Sequence, residues 1–465
     1  MSLPKHCHGS VTALPPSSSR RACWATRPAC SAKRVRAMTT QSPAARVASH
    51  DSIAVIGAGI IGLATCRALQ ARGYHVHLYD PNPIGEGTSF GNAGLIANYA
   101  TSPMASGDTL RQLPGHLLSR QPSLAIALRH TPALADFGWR FLKAATPSNF
   151  QRHKADLIAL LANAVERQHA LIDDLQTRAP TALASQTGCL QIQRDTAITP
   201  ASLEKMARAK RHDGVECQAL GASELRDLEP SLNSKGLAGG LYYPDTRHLT
   251  SPLSLSRQLF AQLEEGGLEW TAQQVDALTP LASGGWRIDT ATTSQEVPHV
   301  VICAGIASNS LLAGLGKRLP VVSERGYHIE LATSLPLSRP VGWLAHHFYA
   351  SPMAAGIRLA GTTEFCAPSR PASPQRWQAL TQWGETLFGQ PLDVARHWMG
   401  VRHSTPDGLP VVGEMPGCPG LLLAYGHGHL GLTLSAETGD LVARTVAHEP
   451  LPEYARSLSP ARFCQ

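Results

Sequence analysis

Three closely spaced glycines mark a stretch of the chain that is suited to binding phosphates. Gly57, Gly59 and Gly62 form a GxGxxG pattern. In such a turn the first glycine permits a tight bend, the second lets a pyrophosphate approach the backbone, and the third lets a helix pack closely on a strand. The phosphates would lie at the positive end of that helix. We therefore predict a dinucleotide site formed by Gly57, Ala58, Gly59, Ile60, Ile61 and Gly62.

The elements around this turn have the pattern of a βαβ unit. Residues 53–56 are a short apolar run typical of a strand, and an Ala- and Leu-rich helical pattern continues to Gln70, followed by Gly73. Residues 75–80 alternate like a second strand and end at Asp80. A carboxylate there accepts hydrogen bonds from ribose hydroxyls and repels a 2′-phosphate. The strand, the helix, Gly73 and Asp80 all stand where a dinucleotide-binding βαβ unit needs them. We therefore favour dinucleotide binding over a glycine-rich turn that serves only the packing of helix and strand.

Two later segments extend the predicted cofactor site. The small-residue loop 88–94 can run close to a flat ring, although it could equally be a surface loop. Residues 426–433 stand between a strand and a helix, where backbone N–H groups can stabilise negative charge on a reduced flavin. A nucleotide site near the start and this turn near the end favour FAD over NAD. The additional predicted contacts are Thr88, Ser89, Asn92, Ala93, Gly94, Val275, Ala304, Gly305, Gly428, His429, Leu430, Gly431 and Thr433.

These segments together resemble a known family. The 57–80 pattern, the loop 88–94, Ala304-Gly305, residues 400–413 (GVRHSTPDGLPVVG) and the turn 426–433 are similar to the flavin-dependent amine and amino-acid oxidoreductases. That family includes D-amino acid oxidase, glycine oxidase, sarcosine oxidase and bacterial D-amino acid dehydrogenase. The resemblance covers residues 52–447 in order. It implies an α/β fold in which a Rossmann-like FAD-binding domain of the glutathione-reductase type is interleaved with an α+β substrate domain carrying an antiparallel sheet.

The predicted domains are discontinuous. We assign residues 51–100, 230–310 and 395–450 to the FAD-binding domain, and 101–229 and 311–394 to the substrate or cap domain. A helical pattern dominates residues 101–180, and strand-like runs cover 188–194, 268–275 and 286–289. The apolar run 300–305 is expected to return to the first sheet, and residues 319–361 to form an antiparallel sheet.

The resemblance also implies the substrate-binding residues. Arg402 would bind the substrate carboxylate, since a guanidinium fork pairs with both oxygens of a carboxylate; a solvated surface arginine is the alternative. Tyr327 and Tyr349 are predicted to line the pocket or to hydrogen-bond the carboxylate, although each suits a core position equally well. His403 stands where the family usually has proline.

The implied activity is FAD-dependent oxidative deamination of small D-amino acids, with hydride transfer from Cα to flavin N5 and Arg402 as the anchor. No dedicated base is needed if the amine enters neutral. Other substrates stay open: cis-4-hydroxy-D-proline, another imino or secondary amino acid, or glycine or sarcosine. A flavin-binding subunit without activity is the alternative of a different class. Dehydrogenases of this family lie at the bacterial inner membrane and pass electrons to the respiratory chain, so a quinone or another carrier would be the acceptor.

Charge and cysteine patterns limit the other function classes. Eight of the 41 lysines and arginines lie in residues 1–50, which contain no Asp or Glu, so the remaining chain is nearly neutral and nucleic-acid binding is not expected. We interpret residues 1–50 as a disordered leader or an over-extended start.

The ten cysteines form no CxxC pair, which predicts reduced thiols in a cytoplasmic protein and no metal site. Apolar residues between 110 and 128 leave peripheral membrane contact open beside a substrate cap or core packing.

Overall fold

The computed structural model describes residues 52–111, 124–126, 133–194 and 197–464. The leader predicted over residues 1–50 and much of the apolar series between 110 and 128 lie outside these ranges. The strands are β1 Ser52–Ile56, β2 His75–Tyr79, β3 Leu124–Ile126, β4 Ala184–Ser185, β5 Cys189–Gln193, β6 Gln218–Gly221, β7 Gly239–Tyr243, β8 His248–Leu249, β9 Glu269–Thr271, β10 Val275–Pro280, β11 Trp286–Thr290, β12 Ser294–Val297, β13 His299–Ile302, β14 Val322–Leu331, β15 Val341–Trp343, β16 Phe348–Met353, β17 Gly356–Phe365, β18 Val394–Ser404, β19 Val411–Glu414 and β20 Leu421–Tyr425. The helices are α1 Ile60–Gln70, α2 Ala133–Ala144, α3 Pro147–Gln176, α4 Pro200–His212, α5 Ala222–Leu228, α6 Pro252–Glu265, α7 Ser308–Gly314, α8 Pro374–Phe388, α9 Gly431–Val446 and α10 Ala455–Leu458.

A six-stranded sheet in the order β19-β20-β13-β1-β2-β9 contains the predicted βαβ unit. All neighbouring pairs are parallel except β19 with β20. Strand β13 lies between β1 and β20, so the expected return of the chain to the first sheet is confirmed. The inner strands β1, β13 and β20 are apolar on both faces because both faces are covered, as is usual for parallel sheets.

Different layers cover the two faces of this sheet. Ile53 and Val55 pack in one core with residues of α1, α3, α6 and α9. Their neighbours Ala54 and Ile56 pack in a second core with the three-stranded antiparallel sheet β10-β11-β12 and with α7. Helices α1 and α9 approach closely, since a Cβ on Gly439 would lie only 2.4 Å from the carbonyl oxygen of Ala64.

The second large sheet has nine strands and is mostly antiparallel. Its order is β18-β14-β17-β16-β15-β5-β7-β6, and β3 pairs with β17. The antiparallel sheet predicted over residues 319–361 is confirmed. Of the helical pattern predicted over residues 101–180, the part from 133 to 176 is confirmed by α2 and α3, whereas residues 124–126 form β3 and much of the rest lies outside the described ranges. The long pairing of β14 with β18 runs from Val322 opposite Ser404 to Leu331 opposite Val394. This pairing fixes which side chains meet near Arg402.

Sheet membership departs from the predicted domain ranges at β7 and β18, and β8 of the predicted FAD range pairs with β4 of the predicted cap range. Strands β7 and β18 lie within ranges assigned to the FAD-binding domain, but both pair in the nine-stranded sheet. Local pattern could not reveal this, because an edge strand such as β18 is assigned to a sheet by its partner β14 and not by its own sequence. The domain boundaries themselves stay a prediction.

Candidate active site

Most of the predicted cofactor contacts follow the carboxyl ends of neighbouring parallel strands. Gly57 follows β1, Asp80 follows β2, Ala304 comes shortly after β13, and the turn 426–431 follows β20. Because these four strands are adjacent and parallel, the four segments meet at one edge of the sheet. Such an edge is where ligands bind in open α/β sheets.

The first glycine-rich turn forms a cradle of bare backbone. Gly57 has φ +110°, and a Cβ there would lie 2.5 Å from the carbonyl oxygen of Cys303. A Cβ on Gly62 would lie 1.8 Å from the carbonyl oxygen of Gly57. Helix α1 has Gly59 as its N-cap, without a side-chain cap or an acidic residue in its first turn. The N-terminal turn of α1 therefore has backbone N–H groups that are available to bind a pyrophosphate.

Asp80 adjoins this cradle. Its Oδ2 accepts a hydrogen bond from the backbone N–H of Ala58 at 2.8 Å, and its Oδ1 accepts one from the backbone N–H of Asn82 at 2.8 Å. These bonds fix the carboxylate beside the turn. The position fits the ribose-binding role predicted for it.

The loop 88–94 joins the first turn to the second sheet. Ser89 Oγ accepts from the backbone N–H of Ile60 at 3.1 Å, and Thr88 Oγ1 donates to the carbonyl oxygen of Val401 at 2.7 Å. Asn92 Oδ1 accepts from the backbone N–H of Gly94 at 2.7 Å, while Ala93 packs beside Leu95. The loop thus spans from the N-terminus of α1 to the residue before Arg402.

The turn before α9 repeats the features of the first turn. Gly428 has φ +52° and donates its N–H to the carbonyl oxygen of His403 at 3.0 Å. Leu430 is the N-cap of α9, which begins at Gly431 and has no side-chain cap and no acidic residue in its first turn. Thr433 Oγ1 accepts from the backbone N–H of Ala97 at 2.9 Å. A second set of backbone N–H groups therefore faces the site, suited to an electron-rich ring edge.

The remaining predicted cofactor contacts, Gly305 and Val275, differ in which of their atoms a ligand could reach. Gly305 has φ +57°, and a Cβ on it would lie 3.2 Å from His403 Cε1. Val275, at the start of β10, has its side chain buried in the same core as Tyr79. Only the backbone of Val275 is left to contact a ligand, so its predicted role reduces to a main-chain contact.

Arg402 lies directly opposite Glu324 in the pairing of β18 with β14. Its Nη1 donates to Glu324 Oε1 at 3.0 Å; the Glu324 side chain is fully buried and that of Arg402 is 19% exposed. A Cβ on Gly326 would lie 2.1 Å from Arg402 Nη2, so the guanidinium occupies the space that a side chain at Gly326 would fill. A guanidinium has five N–H donors, and this arrangement orients Arg402 while leaving it donors for a carboxylate.

Glu324 is the central site residue that sequence reasoning missed. Its Oε1 also lies 2.7 Å from His429 Nε2, and its Oε2 accepts from Ser404 Oγ. Burial by itself raises the pKa of the Glu324 carboxyl, but His429, Arg402 and Ser404 together hold that pKa well below its ordinary value. The carboxylate is therefore ionised. The sequence offered little signal for Glu324, because it stands in the polar run Ser323-Glu324-Arg325 at the start of β14.

The buried histidines of this region are neutral. Burial lowers the pKa of His403 to about 4 and that of His427 to about 3. His427 Nε2 lies 2.9 Å from Thr438 Oγ1. Both rings lie next to the turn before α9, and neither carries a charge near neutral pH.

The two predicted tyrosines are placed differently. Tyr327 lies on the face of β14 opposite to that of Glu324, because successive side chains of a strand alternate. Its hydroxyl donates to Glu364 Oε2 at 2.5 Å and its ring contacts Trp377 of α8. The structure does not bring Tyr327 together with Arg402.

Tyr349 shares the face of Arg402 but stands farther along the sheet. It pairs with Ala360, which is opposite His328 of β14. The Tyr349 hydroxyl accepts from Gln191 Nε2 at 2.7 Å. Tyr349 lies two strands away from β14. It therefore stands on the same face of the sheet as Arg402 but does not contact it.

The described ranges contain neither a metal-binding cluster nor a membrane-spanning helix. Within those residues, no group of three or more His, Cys, Asp or Glu side chains is arranged to hold a metal ion. Nor does any helix found there have both the length and the apolar character needed to cross a bilayer.

Comparisons with known proteins agree with this geometry. The family model described as "DAO: FAD dependent oxidoreductase" matches residues 52–445. D-amino acid dehydrogenase 2 of Ralstonia nicotianae is 32% identical over 421 residues, covering 85% of this chain and 96% of that protein.

Solved structures show the same fold. Glycine oxidase from Geobacillus kaustophilus superposes with a TM-score of 0.69 at 22% identity, covering 88% of this chain and 98% of the other. Iminodiacetate oxidase from Chelativorans sp. BNC1 has a TM-score of 0.65 at 19% identity, with 88% and 98% covered. The bare glycine-rich cradle, the carboxylate beside it and the family match lead to one conclusion: the chain belongs to the DAO family of FAD-dependent oxidoreductases.

Proposed function

We propose that this amino-acid oxidoreductase oxidises the Cα–N bond of small D-amino acids and passes the electrons to a respiratory-chain acceptor. One observation carries the proposal: Arg402 and His429, which belong to two different elements, contact the same carboxylate oxygen of Glu324. A carboxylate anchor therefore lies beside the turn before α9, where N–H groups favour negative charge.

Each part of the site has a separate task. Arg402 binds the substrate carboxylate and fixes the Cα–H, with Glu324 preventing rotation of the guanidinium. The backbone of residues 57–62 and Asp80 hold the dinucleotide part of FAD, while residues 428–431 face the flavin end. FAD, when bound, supplies the hydride acceptor at flavin N5, and the protein supplies orientation and electrostatics.

The test is an anaerobic titration of the purified FAD-loaded protein with D-amino acids and their L-enantiomers. We expect small D-amino acids to bleach the flavin band near ~450 nm, and their enantiomers to leave it unchanged. Arg402→Ala should require at least ~100-fold more substrate for the same bleaching, because one charge-assisted bidentate contact is lost. Arg287→Ala, which removes a half-exposed arginine from the three-stranded sheet, is the matched control.

A second candidate, oxidation of a secondary amino acid, is favoured by the fold shared with iminodiacetate oxidase. The same titration with iminodiacetate, sarcosine and cis-4-hydroxy-D-proline separates the two. Bleaching by these compounds alone would replace D-amino acids as the substrate class. A protein that none of these compounds bleaches would contradict both substrate classes and would favour the alternative of a non-catalytic flavin-binding subunit.

The electron acceptor is tested on the bleached protein. We expect a soluble quinone to restore the flavin band faster than dissolved oxygen does. Faster recovery with oxygen would identify an oxidase and would contradict the respiratory acceptor.

A further inference from the structure

His429 carries a side chain whose role the proposed function leaves open. Its Nε2 lies 2.7 Å from Glu324 Oε1, and Arg402 Nη1 lies 3.0 Å from that same oxygen. The two nitrogens cannot be farther apart than the sum of these distances, 5.7 Å. The imidazole and the carboxylate anchor are thus neighbours across one buried acid.

The two ring nitrogens of His429 have different surroundings. Nε2 faces the ionised Glu324, whereas Nδ1 has no hydrogen-bond partner within the described part of the chain. The side chain is 43% exposed, while that of Glu324 is fully buried. A carboxylate that accepts from one imidazole nitrogen selects the tautomer with a lone pair on the other. In its neutral form, His429 would donate from Nε2 to Glu324 and keep an acceptor at Nδ1, on a side chain that is 43% exposed.

We propose that His429 is the general base that removes a proton from the substrate ammonium group, with Glu324 as its positioning residue. This inference rests on the proposed function. The carboxylate and the amine of an α-amino acid are joined through one carbon, so a carboxylate on Arg402 brings the amine within reach of His429.

The step balances in protons and electrons. One N–H bond of the ammonium breaks, the proton bonds to Nδ1, and the electron pair stays on the amine nitrogen. That pair is then available to form the C=N bond when Cα loses its hydride. FAD, when bound, would supply the two-electron acceptor for that hydride, so the oxidation of the amino acid by two electrons would be balanced.

Charge pairing supports the same assignment. Before substrate arrives, Arg402 pairs with the ionised Glu324 carboxylate at 3.0 Å. After the proton transfer, the imidazolium pairs with Glu324 and Arg402 pairs with the substrate carboxylate. No charge is left without a partner in either state, which matters because an unpaired buried charge is costly. Glu324 thus serves as a counterion that changes partner.

The first test is the pH profile of kcat/KM for D-alanine between pH 6 and 10. The wild type uses the zwitterion, so its kcat/KM should level off well below the pKa of the substrate amine. His429→Gln can use only neutral amine, so its kcat/KM should rise about tenfold per pH unit up to that pKa and be roughly 100-fold below wild type at pH 7. Of the other groups that face this site, Glu324 is ionised, Arg402 is cationic, and His403 and His427 titrate below this range.

The second test measures binding without turnover, by calorimetry on the FAD-loaded protein. The ligands are 2-aminoisobutyrate, which has no α-hydrogen, and isobutyrate, which lacks the amine. His429→Gln should weaken 2-aminoisobutyrate about tenfold and change isobutyrate less than about twofold, whereas Arg402→Lys should weaken both. His397→Gln, at an exposed position on β18, is the control and should match wild type.

The outcomes separate this inference from the proposed function. A wild-type pH profile in His429→Gln, or equal weakening of both ligands, would overturn the base assignment while D-amino acid oxidation stands. A wild-type protein that oxidises no D-amino acid would overturn both. If His429→Gln does not retain FAD, His429→Asn gives the same two readouts.

Discussion

One added methyl group at Gly326 tests the proposed role of Arg402. Gly326 lies on β14 two residues from Glu324, and its φ lies outside the left-handed range, so alanine suits the backbone. The Cβ of Gly326→Ala would lie 2.1 Å from Arg402 Nη2 and 2.4 Å from its Cζ. The atoms it meets are the end of a flexible side chain, so the strand stays in place and the guanidinium moves.

The size of the effect follows from that displacement. For an ordinary contact of at least 3.4 Å, Nη2 must move by about 1.3 Å. A misplacement of about 1 Å at a positioning group can cost ~100-fold in rate, and one charge-assisted hydrogen bond contributes about 1.5–3 kcal/mol. Both values predict a 10- to 150-fold loss of kcat/KM, at about 1.4 kcal/mol per tenfold. Most of the loss should appear in KM, because carboxylate binding is weakened before the chemical step.

The assay is steady-state oxidation of D-alanine, with protein concentrations matched by flavin absorbance. Gly314→Ala is the control, because a Cβ at that last residue of α7 meets no atom within 4 Å. We expect unchanged flavin content in both variants and a raised KM only in Gly326→Ala. A Gly326→Ala enzyme with KM within twofold of wild type would refute the view that the Arg402 guanidinium must occupy this place.

Three further predictions address the cofactor site, Tyr327 and pH. Gly62→Ala places a Cβ 1.8 Å from the carbonyl oxygen of Gly57, so purified protein should carry at least ~10-fold less flavin, and full flavin content would contradict the cradle. Tyr327→Phe should leave KM unchanged but lower the unfolding free energy by about 1–3 kcal/mol, since buried Glu364 loses a donor; a raised KM would restore Tyr327 to the substrate site. Burial lowers the pKa of His403 and His427 below the unfolded value of about 6.5, so stability is present above pH ~6.5 and falls toward pH 4, by up to ~1.4 kcal/mol per pH unit for each histidine. Urea unfolding at pH 7 and 5 measures this fall, and an equal fall in the His403→Gln/His427→Gln variant would show that other groups cause it.

The sequence by itself determined the nucleotide half of the fold. The spacing of Gly57, Gly59 and Gly62, the glycine after the helix and the acid at the end of β2 are local signals, because each residue acts within its own turn. The apolar run at residues 300–305, which contains most of β13, also indicated that this strand lies inside the first sheet, since a strand buried on both faces is typical of the interior of a parallel sheet. The resemblance carried by these motifs predicted the family that the comparisons show.

Only the tertiary structure decided which side chains surround Arg402. Glu324 lies 78 positions away in sequence and meets Arg402 through the register of β14 with β18, which no local pattern encodes. Tyr327 lies on the other face of β14. A shift of one residue in the strand pairing would have placed Tyr327 on the face of Arg402 and Glu324 on the opposite face. The shared oxygen of Glu324 joins Arg402 to His429 because two sheets and a helix start converge there. This convergence depends on the packing of residues far apart in sequence. A short motif indicates only the conformation of its own turn and so could not predict it.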